Sequence, residues 1–456
     1  MPSVATHGPR RSLAAARARV IRVRWWIFVY MFLFIVLSFV QRTSLGIATD
    51  AVKAHLHLSQ FQVFMLMSAF MVVYAALQIP AGAFGQRFGA RRTFVLVGGL
   101  GCLATVATPL APLVFDGTPV LIAMMLAQIL LGISQAPVFP VSTGVFESWF
   151  PSSRWGFVNG LSTSGLHVGT AITAPLIVAL SASLGWQRGL LCTAVPVMLL
   201  TVCWAWYGRD IPQEHPAVSA EELAEIDAGG HEPPAPTTLR RCLQLIGDRN
   251  MLTLAVSYMW MNIAVYLLLV APFLYLTQYR HMSQVDSGWL AMLPPAGAAV
   301  GAWLGGVLTD RLVARLGLRW GHRLVPLVSL PAAAVMLLWG AQADSVGVAL
   351  AFFVLGYALV EINEGPVAAA ATQIARADTM SGWGVINTGG NLAGAVLYPL
   401  LGYLSGRGDW NALFAIAAGC CLISAALWLL VCADQRFAPK VVAAPGPIQG
   451  RSQVAA

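Results

Sequence analysis

The side chains able to do chemistry in this chain are few, and most recur at helical spacing. Arg42 stands in Gln41-Arg42-Thr43-Ser44-Leu45 inside an otherwise apolar run. A guanidinium facing hydrocarbon costs at least ~2.5–3.5 kcal/mol, so Arg42 must meet a cavity or a partner. Its planar fork of donors suits a substrate carboxylate; a structural pair with Glu361 or Glu364 is the alternative. Those two acids lie near a turn apart beside Asn363 and Gly365-Pro366, a combination that predicts a local break in the helix. A carboxyl shut away from water takes up a proton more readily, which makes Glu361 and Glu364 candidates for proton coupling. A plainer structural or substrate-contacting role is the other reading. His167, alone on a Gly-rich stretch, titrates in the useful range and is a third proton candidate, or else a helix-contact histidine.

Amides supply the rest of the polar inventory. Gln128 and Gln135 are seven residues apart and so share one helix face. Bare amides in lipid are costly, so a cavity-lining role is expected, with hydrogen bonding between helices as the competitor. Tyr74 and Gln78 share a face in the same way. Asn387 and Asn391, with Gly390 and Gly394, either hold substrate hydroxyls or pack through the glycines. No nucleophile with a base, phosphate loop or metal-ligand spacing accompanies these residues, and the seven cysteines fall singly or as one adjacent pair. Neither an enzyme nor a bound metal or cofactor is expected.

The elements that must position these groups follow from composition. Of 456 residues 58% are hydrophobic and 10% charged, with a mean hydropathy of +0.72, so too few charges remain to cover a water-soluble globule. A bilayer core about 30 Å thick takes a helix of roughly 20 apolar residues. On that measure the chain holds twelve spans, at 23–47, 61–84, 93–115, 119–146, 156–183, 188–208, 250–278, 287–312, 323–343, 346–374, 381–405 and 410–433. No alternating strand pattern competes. The expected fold is therefore an all-α membrane protein of twelve transmembrane helices in two six-helix halves. Trp25-Trp26 and Trp428, at span ends, read as interfacial belt residues.

Lys and Arg set the orientation. With the N-terminus inside, every basic residue lies on the cytoplasmic side except Lys53, Arg188, Arg280, Arg407 and the intramembrane Arg42. The net charge of +8 is thereby accounted for by topology and anionic lipid, which leaves a nucleic-acid partner unsupported. The chain divides into a basic cytoplasmic N-terminus (1–22), a first half (23–208), an acidic linker (209–249) with Pro233-Pro234-Ala235-Pro236, a second half (250–433) and a cytoplasmic tail (434–456). An internal repeat supports the halves: Gln135-Ala136-Pro137 matches Glu364-Gly365-Pro366, Trp155–Asn159 matches Trp383–Asn387, and Gly82–Arg87 parallels Gly306–Arg311. All but two of the basic residues are arginine, as a GC-rich bacterial genome would give, hence a bacterial inner membrane.

The stretch Gly82–Arg92, GAFGQRFGARR, resembles the G-x-x-x-D-R-x-G-x-R-R loop of the major facilitator superfamily, with Gln86 where the family usually has Asp. The resemblance implies that Gly82, Arg87, Gly89, Arg91 and Arg92, with Asp310 and Arg311 in the second half, form contacts that break and re-form as the halves rock. Gln41–Leu45, Leu130-Leu131-Gly132 with Gln135-Ala136 and Phe139-Pro140, Trp149-Phe150-Pro151 and Asn387–Gly394 narrow this to a likeness to the anion:cation symporter family. That family contains sialin-like transporters and bacterial permeases for hexuronates, aldonates, tartrate and phthalate. What it implies is a proton-coupled carrier of a small organic anion, in the bilayer and as a monomer, with Arg42, Gln41, Tyr74, Gln78, Gln128, Gln135, Asn387 and Asn391 around the substrate. Where the family has Asp beside the span 1 arginine, and Arg and Glu in span 4, this chain has Gln41, Gln128 and Gln135. An amide cannot carry a proton, so coupling must use another group, or the chain is an uncoupled facilitator or exporter.

Overall fold

The computed structural model describes residues 22–58, 60–227, 238–406 and 408–438. The α-helices among them are α1 Val23–Ile47, α2 Thr49–Leu56, α3 Gln60–Ala76, α4 Gln78–Phe88, α5 Ala90–Val114, α6 Thr118–Gln135, α7 Val138–Trp149, α8 Trp155–Leu184, α9 Trp186–Tyr207, α10 Ala220–Asp227, α11 Leu239–Ile246, α12 Arg249–Leu274, α13 Gln284–Leu290, α14 Leu293–Gln342, α15 Val346–Glu361, α16 Glu364–Ala375, α17 Thr379–Gly406 and α18 Trp410–Trp428. Each of the twelve apolar stretches read from the sequence falls on helix. Among the described residues nine stretches are long and apolar enough to cross a membrane, and the bent pair α3–α4 makes a tenth. α14 is two helices end to end, because Gly317 at φ 76° interrupts it.

Four of the expected spans are broken, 287–312 among them between α13 and α14 ahead of Pro295, and each break falls three or four residues before a proline. Proline has no N–H for the carbonyl four residues back, and its ring collides with that carbonyl. Pro80 thus separates α3 from α4, which meet at 55°, Pro140 separates α6 from α7, and Pro366 separates α15 from α16. The last two breaks fall on the repeat-related Gln135-Ala136-Pro137 and Glu364-Gly365-Pro366.

Apolar burial organises the helices around separate cores. One gathers residues of α12 to α18, with Leu267, Leu337, Phe353 and Phe414 fully enclosed. Another gathers α1, α5, α7, α8 and α9 around Phe34, Phe94, Phe146 and Trp204. Trp428, expected at the interface, instead fills the first of these cores with no exposure, since α18 buries that face. Val72, Leu113, Ile122, Leu199 and Val328 point outward, as a lipid-facing surface requires.

The two sets of helices meet where α8 crosses α14 and where α4 crosses α17. Small residues let the backbones touch. A Cβ at Gly160 would overlap the Ala302 carbonyl, one at Gly306 the Gly156 carbonyl, and one at Gly82 the Met380 carbonyl.

The described residues of the acidic 209–249 segment include the helices α10 and α11. Its α10 docks on the start of α1: Glu222 accepts from the Val23 and Arg24 amides at 3.2 and 3.0 Å, and Glu225 pairs with Arg22 and with Arg24, the latter at 2.8 Å. These guanidinium hydrogen bonds hold the Glu225 carboxyl below its ordinary range. Arg10, Arg11, Arg17, Arg19, the Pro233–Pro236 run, Arg407, Lys440 and Arg451 lie outside the described residues. Asp310 and Arg311, at the end of the expected span 287–312, sit inside α14, whose helix runs on to Gly317.

Candidate functional site

A cavity of about 1050 Å³ opens between the two sets of helices. Its walls come from α1 (Arg42, Thr43), α3 (Phe70, Tyr74), α6 (Gln128), α8 (Thr163, Thr170), α12 (Tyr258, Asn262, Tyr266), α15 and α16 (Tyr357, Glu361, Glu364) and α17 (Asn387, Asn391). It runs from mid-bundle past Ile47, Met67 and Leu274, toward the end remote from the basic loops.

Arg42 is half-buried and lies over three rings, with its guanidinium carbon 5.3 Å from the Phe39 centroid, 5.1 Å from Phe70 and 5.0 Å from Tyr74. Its Nη2 also contacts Met71 Sδ at 2.9 Å. Cation–π attraction of about 0.5–2 kcal/mol per ring steadies the charge without neutralising it. Among the described residues Arg42 has no carboxylate partner. The structural pair with Glu361 or Glu364 is therefore absent from this conformation, and a cation on a cavity wall is left for an anion.

Six of the other expected site residues share this cavity: Tyr74, Gln128, Asn387, Asn391, Glu361 and Glu364. Gln128 Nε2 donates to Thr108 Oγ1 at 3.3 Å. Asn391 Oδ1 accepts from the Tyr266 hydroxyl at 3.1 Å, and its Nδ2 donates to the Asn387 carbonyl at 2.7 Å. Glu364 Oε2 accepts from the Tyr258 hydroxyl at 3.4 Å.

Four expected residues are not brought to the wall. Gln41 is one position, about 100° of helix, from Arg42, and so faces α5, where Nε2 donates to Thr105 Oγ1 at 2.8 Å. Gln135 lies two turns deeper than Gln128, below the cavity, and donates to the Ser38 carbonyl at 3.0 Å. Gln78 has no exposure; its Oε1 accepts from Asn387 Nδ2 at 2.7 Å, joining α4 to α17. His167 is buried behind the wall, 3.2 Å from Glu361.

The basic end of the bundle is shut. Gln86 Nε2 donates to Asp378 Oδ1 at 3.1 Å and to the Ala377 carbonyl at 3.0 Å, while its Oε1 accepts from the Ser381 hydroxyl at 2.8 Å. A carboxylate in place of Gln86 would set two acids together, so the departure from the expected Asp has a local reason. Across the repeat, Asp310 accepts from the Gly156 and Phe157 amides at 3.0 and 2.9 Å, at the start of α8, where the helix dipole favours a carboxylate. Arg91 reaches the Ala205 carbonyl near the end of α9, with Nε at 3.1 Å, and its amide meets Asp210 at 2.7 Å. Arg87 and Arg92 remain exposed. Gly89, at φ 86°, makes the tight turn from α4 into α5.

Sequence reasoning missed Tyr258, Tyr357 and the Phe39 and Phe70 rings beside Arg42, because a lone aromatic in an apolar run carries no signal. It also missed Asp378 and Arg241, whose significance exists only across the closed end.

The chain matches the profile described as Major Facilitator Superfamily over residues 31–375. Its curated relatives include a "Probable sulfoacetate transporter" of Cupriavidus necator, 28% identical over 87% of this chain and 91% of the relative. The "D-galactonate transporter" of Escherichia coli is 28% identical over 91% of this chain and 96% of that one. A "Probable galactarate/D-glucarate transporter" of Bacillus subtilis is 28% identical over 85% and 87%. Among solved structures, the proton:xylose symporter XylE bound to 6-bromo-6-deoxy-D-glucose superposes with a TM-score of 0.71 at 13% identity, covering 90% of this chain and 96% of that chain. The Escherichia coli fucose:proton symporter superposes at 0.63 and 15%, covering 89% and 99%.

Proposed function

The chain belongs to the Major Facilitator Superfamily, and from that premise we propose that it carries a small organic acid by alternating access, with Arg42 holding the acid's anionic group. It is a secondary transporter with the multi-pass helical fold of that family, and not an enzyme. The observation that carries the reading is the guanidinium of Arg42, set on the wall of a cavity between two helix sets with no carboxylate partner among the described residues. Sulfoacetate, galactarate, D-glucarate and D-galactonate, named for the relatives, all present a charged acid group on a short polar body. An acid of that kind would place its anionic end on Arg42 by paired hydrogen bonds. The hydroxyls of a sugar acid would face Gln128, Asn262, Asn387 and Asn391, while Tyr74 flanks the charge.

Residues 23–208 and 250–433 would act as the two rocking bodies, joined through 209–249. By the distribution of arginine the shut end is cytoplasmic, both termini lie inside, and the cavity faces outward in a bacterial inner membrane, the chain working as a monomer. Opening at the cytoplasmic end would require the Gln86–Asp378 and Asp310–Gly156 contacts to part while others form outside.

A second reading, an uncoupled facilitator or exporter, draws support from Gln41 and Gln135, which cannot titrate where the resemblance expects acids. Uptake of D-glucarate, D-galactonate and sulfoacetate into proteoliposomes, with and without an inward proton gradient, tests both. Accumulation driven by the gradient favours the coupled importer. Mere equilibration favours the second reading.

A further inference from the structure

The transport reading leaves a charge to balance. An anion entering an inside-negative cell without a cation is opposed by about 2.3 kcal/mol per charge per 100 mV. The acids that the resemblance expects in the first half are absent. One other pair of titratable side chains is buried at the seam between the halves: His167 on α8 and Glu361 at the end of α15, with Nε2 and Oε2 3.2 Å apart. They are 2% and 3% exposed.

The pair is poorly satisfied as it stands. Close as the two atoms are, they are not aligned for a hydrogen bond, and neither ring nitrogen of His167 has such a partner among the described residues. A neutral imidazole with two orphan nitrogens beside an ionised carboxylate leaves a net negative charge in a dry seam, which is costly. One added proton makes either an imidazolium–carboxylate pair or two neutral groups, with net charge zero in both cases. Glu361 also lines the cavity, so water there has a route to the pair.

We propose that His167 and Glu361 together form the proton-binding site of the transport cycle, one proton being shared across the two halves. This rests on the transport reading above. The proton enters from cavity water and stays with the pair while the basic end is shut. When the halves part there, His167 and Glu361 separate and the proton leaves to water on the other side. The same proton crosses with the anion and cancels one of its charges, the whole charge of D-galactonate and half that of the dianions D-glucarate and sulfoacetate, and nothing else is consumed. Among the described residues the charged and titratable groups facing the pair from neighbouring elements are few. Tyr357 sets its ring edge-on to His167 at 5.7 Å, Glu364 and its donor Tyr258 lie beside Glu361, and Arg42 occupies the cavity wall of α1. Asp310 of α14 lies further toward the basic end, engaged by the start of α8.

Two measurements separate this site from the transport reading. The first uses proteoliposomes with D-glucarate, D-galactonate and sulfoacetate as probes. His167→Gln is expected to keep counterflow, the exchange of labelled for unlabelled acid, within about threefold of wild type, and to lose gradient-driven accumulation by about tenfold or more. Glu361→Gln is expected to lose gradient-driven accumulation likewise. Retention of accumulation in either variant overturns the pair, as does loss confined to Glu364→Gln. The second needs no substrate: amide exchange at Gly156 and Phe157, corrected for intrinsic rate, across pH 5 to 8. Protection at the shut end is expected to change with pH in wild type and to lose that dependence, by at least about threefold, in His167→Gln. The same pH dependence in both proteins overturns the site, whether or not any probe moves.

Discussion

Asp378 and Arg241 are joined by two hydrogen bonds, Nε to Oδ1 and Nη2 to Oδ2, each 2.7 Å. Asp378 precedes α17 and is buried, whereas Arg241 belongs to α11, in the segment between the two helix sets. This fork holds Arg241 above its ordinary range, the hydrogen bond to Asp378 being the main cause. The same carboxylate accepts from Gln86, so three parts of the chain converge on one buried acid at the shut end.

Removing the cation should loosen that end. Arg241→Gln leaves Asp378 with Gln86 alone, and Gln86→Glu sets a second carboxylate against it. Each is expected to raise amide exchange over 84–88 and 377–382 by about tenfold, equivalent to about 1.4 kcal/mol. Unchanged exchange in both variants would show that the convergence on Asp378 does not hold the end closed.

Backbone contact at Gly160 and Gly306 leads to a sharper test. A side chain at either position cannot fit while α8 and α14 touch. Gly160→Leu is expected to assemble in the membrane yet lose transport by at least about tenfold, with exchange at Gly156 and Phe157 raised. Wild-type transport in this variant would mean that the crossing opens without consequence.

His215 responds to pH. It lies between the rings of Trp149 and Tyr207, and its Nδ1 accepts from the Ala217 amide at 3.2 Å. Burial, and then the nearby Arg209, hold it below the ordinary histidine value of 6.5. Because the folded value is the lower one, the neutral ring's contribution is fully present above about 6.5 and is lost as pH falls through the folded value. Corrected exchange at Ala217 should therefore rise between pH 7.5 and 5, and His215→Asn should abolish the rise. A flat profile in wild type would contradict it.

Much of the architecture was legible because bilayer thickness fixes helix length and because a lone charge in an apolar run is expensive. Arg42 was visible on that ground, and so was the break at Asn363 with Pro366. The bend at Leu77 was less visible, since its cause, Pro80, lies within what reads as one apolar run. The side-chain inventory of the cavity was read more faithfully than its orientation. Gln41 and Gln135 are polar and intramembrane, as expected of lining residues, but a hundred degrees of helix or two turns of depth turn such groups toward Thr105 and Ser38. Pairs that cross the seam, Gln78 with Asn387 and Gln86 with Asp378, leave no trace in local spacing.

The central claim is that Arg42 holds the anionic group of a transported acid, and counterflow tests it most directly. Proteoliposomes loaded with unlabelled D-glucarate, D-galactonate or sulfoacetate are offered the labelled acid at the same pH and potential on both sides. Wild type is expected to exchange at least one of the three, Arg42→Lys to lose about tenfold through its missing fork, and Arg42→Gln to lose exchange altogether. Exchange in Arg42→Gln at the wild-type rate would contradict the claim.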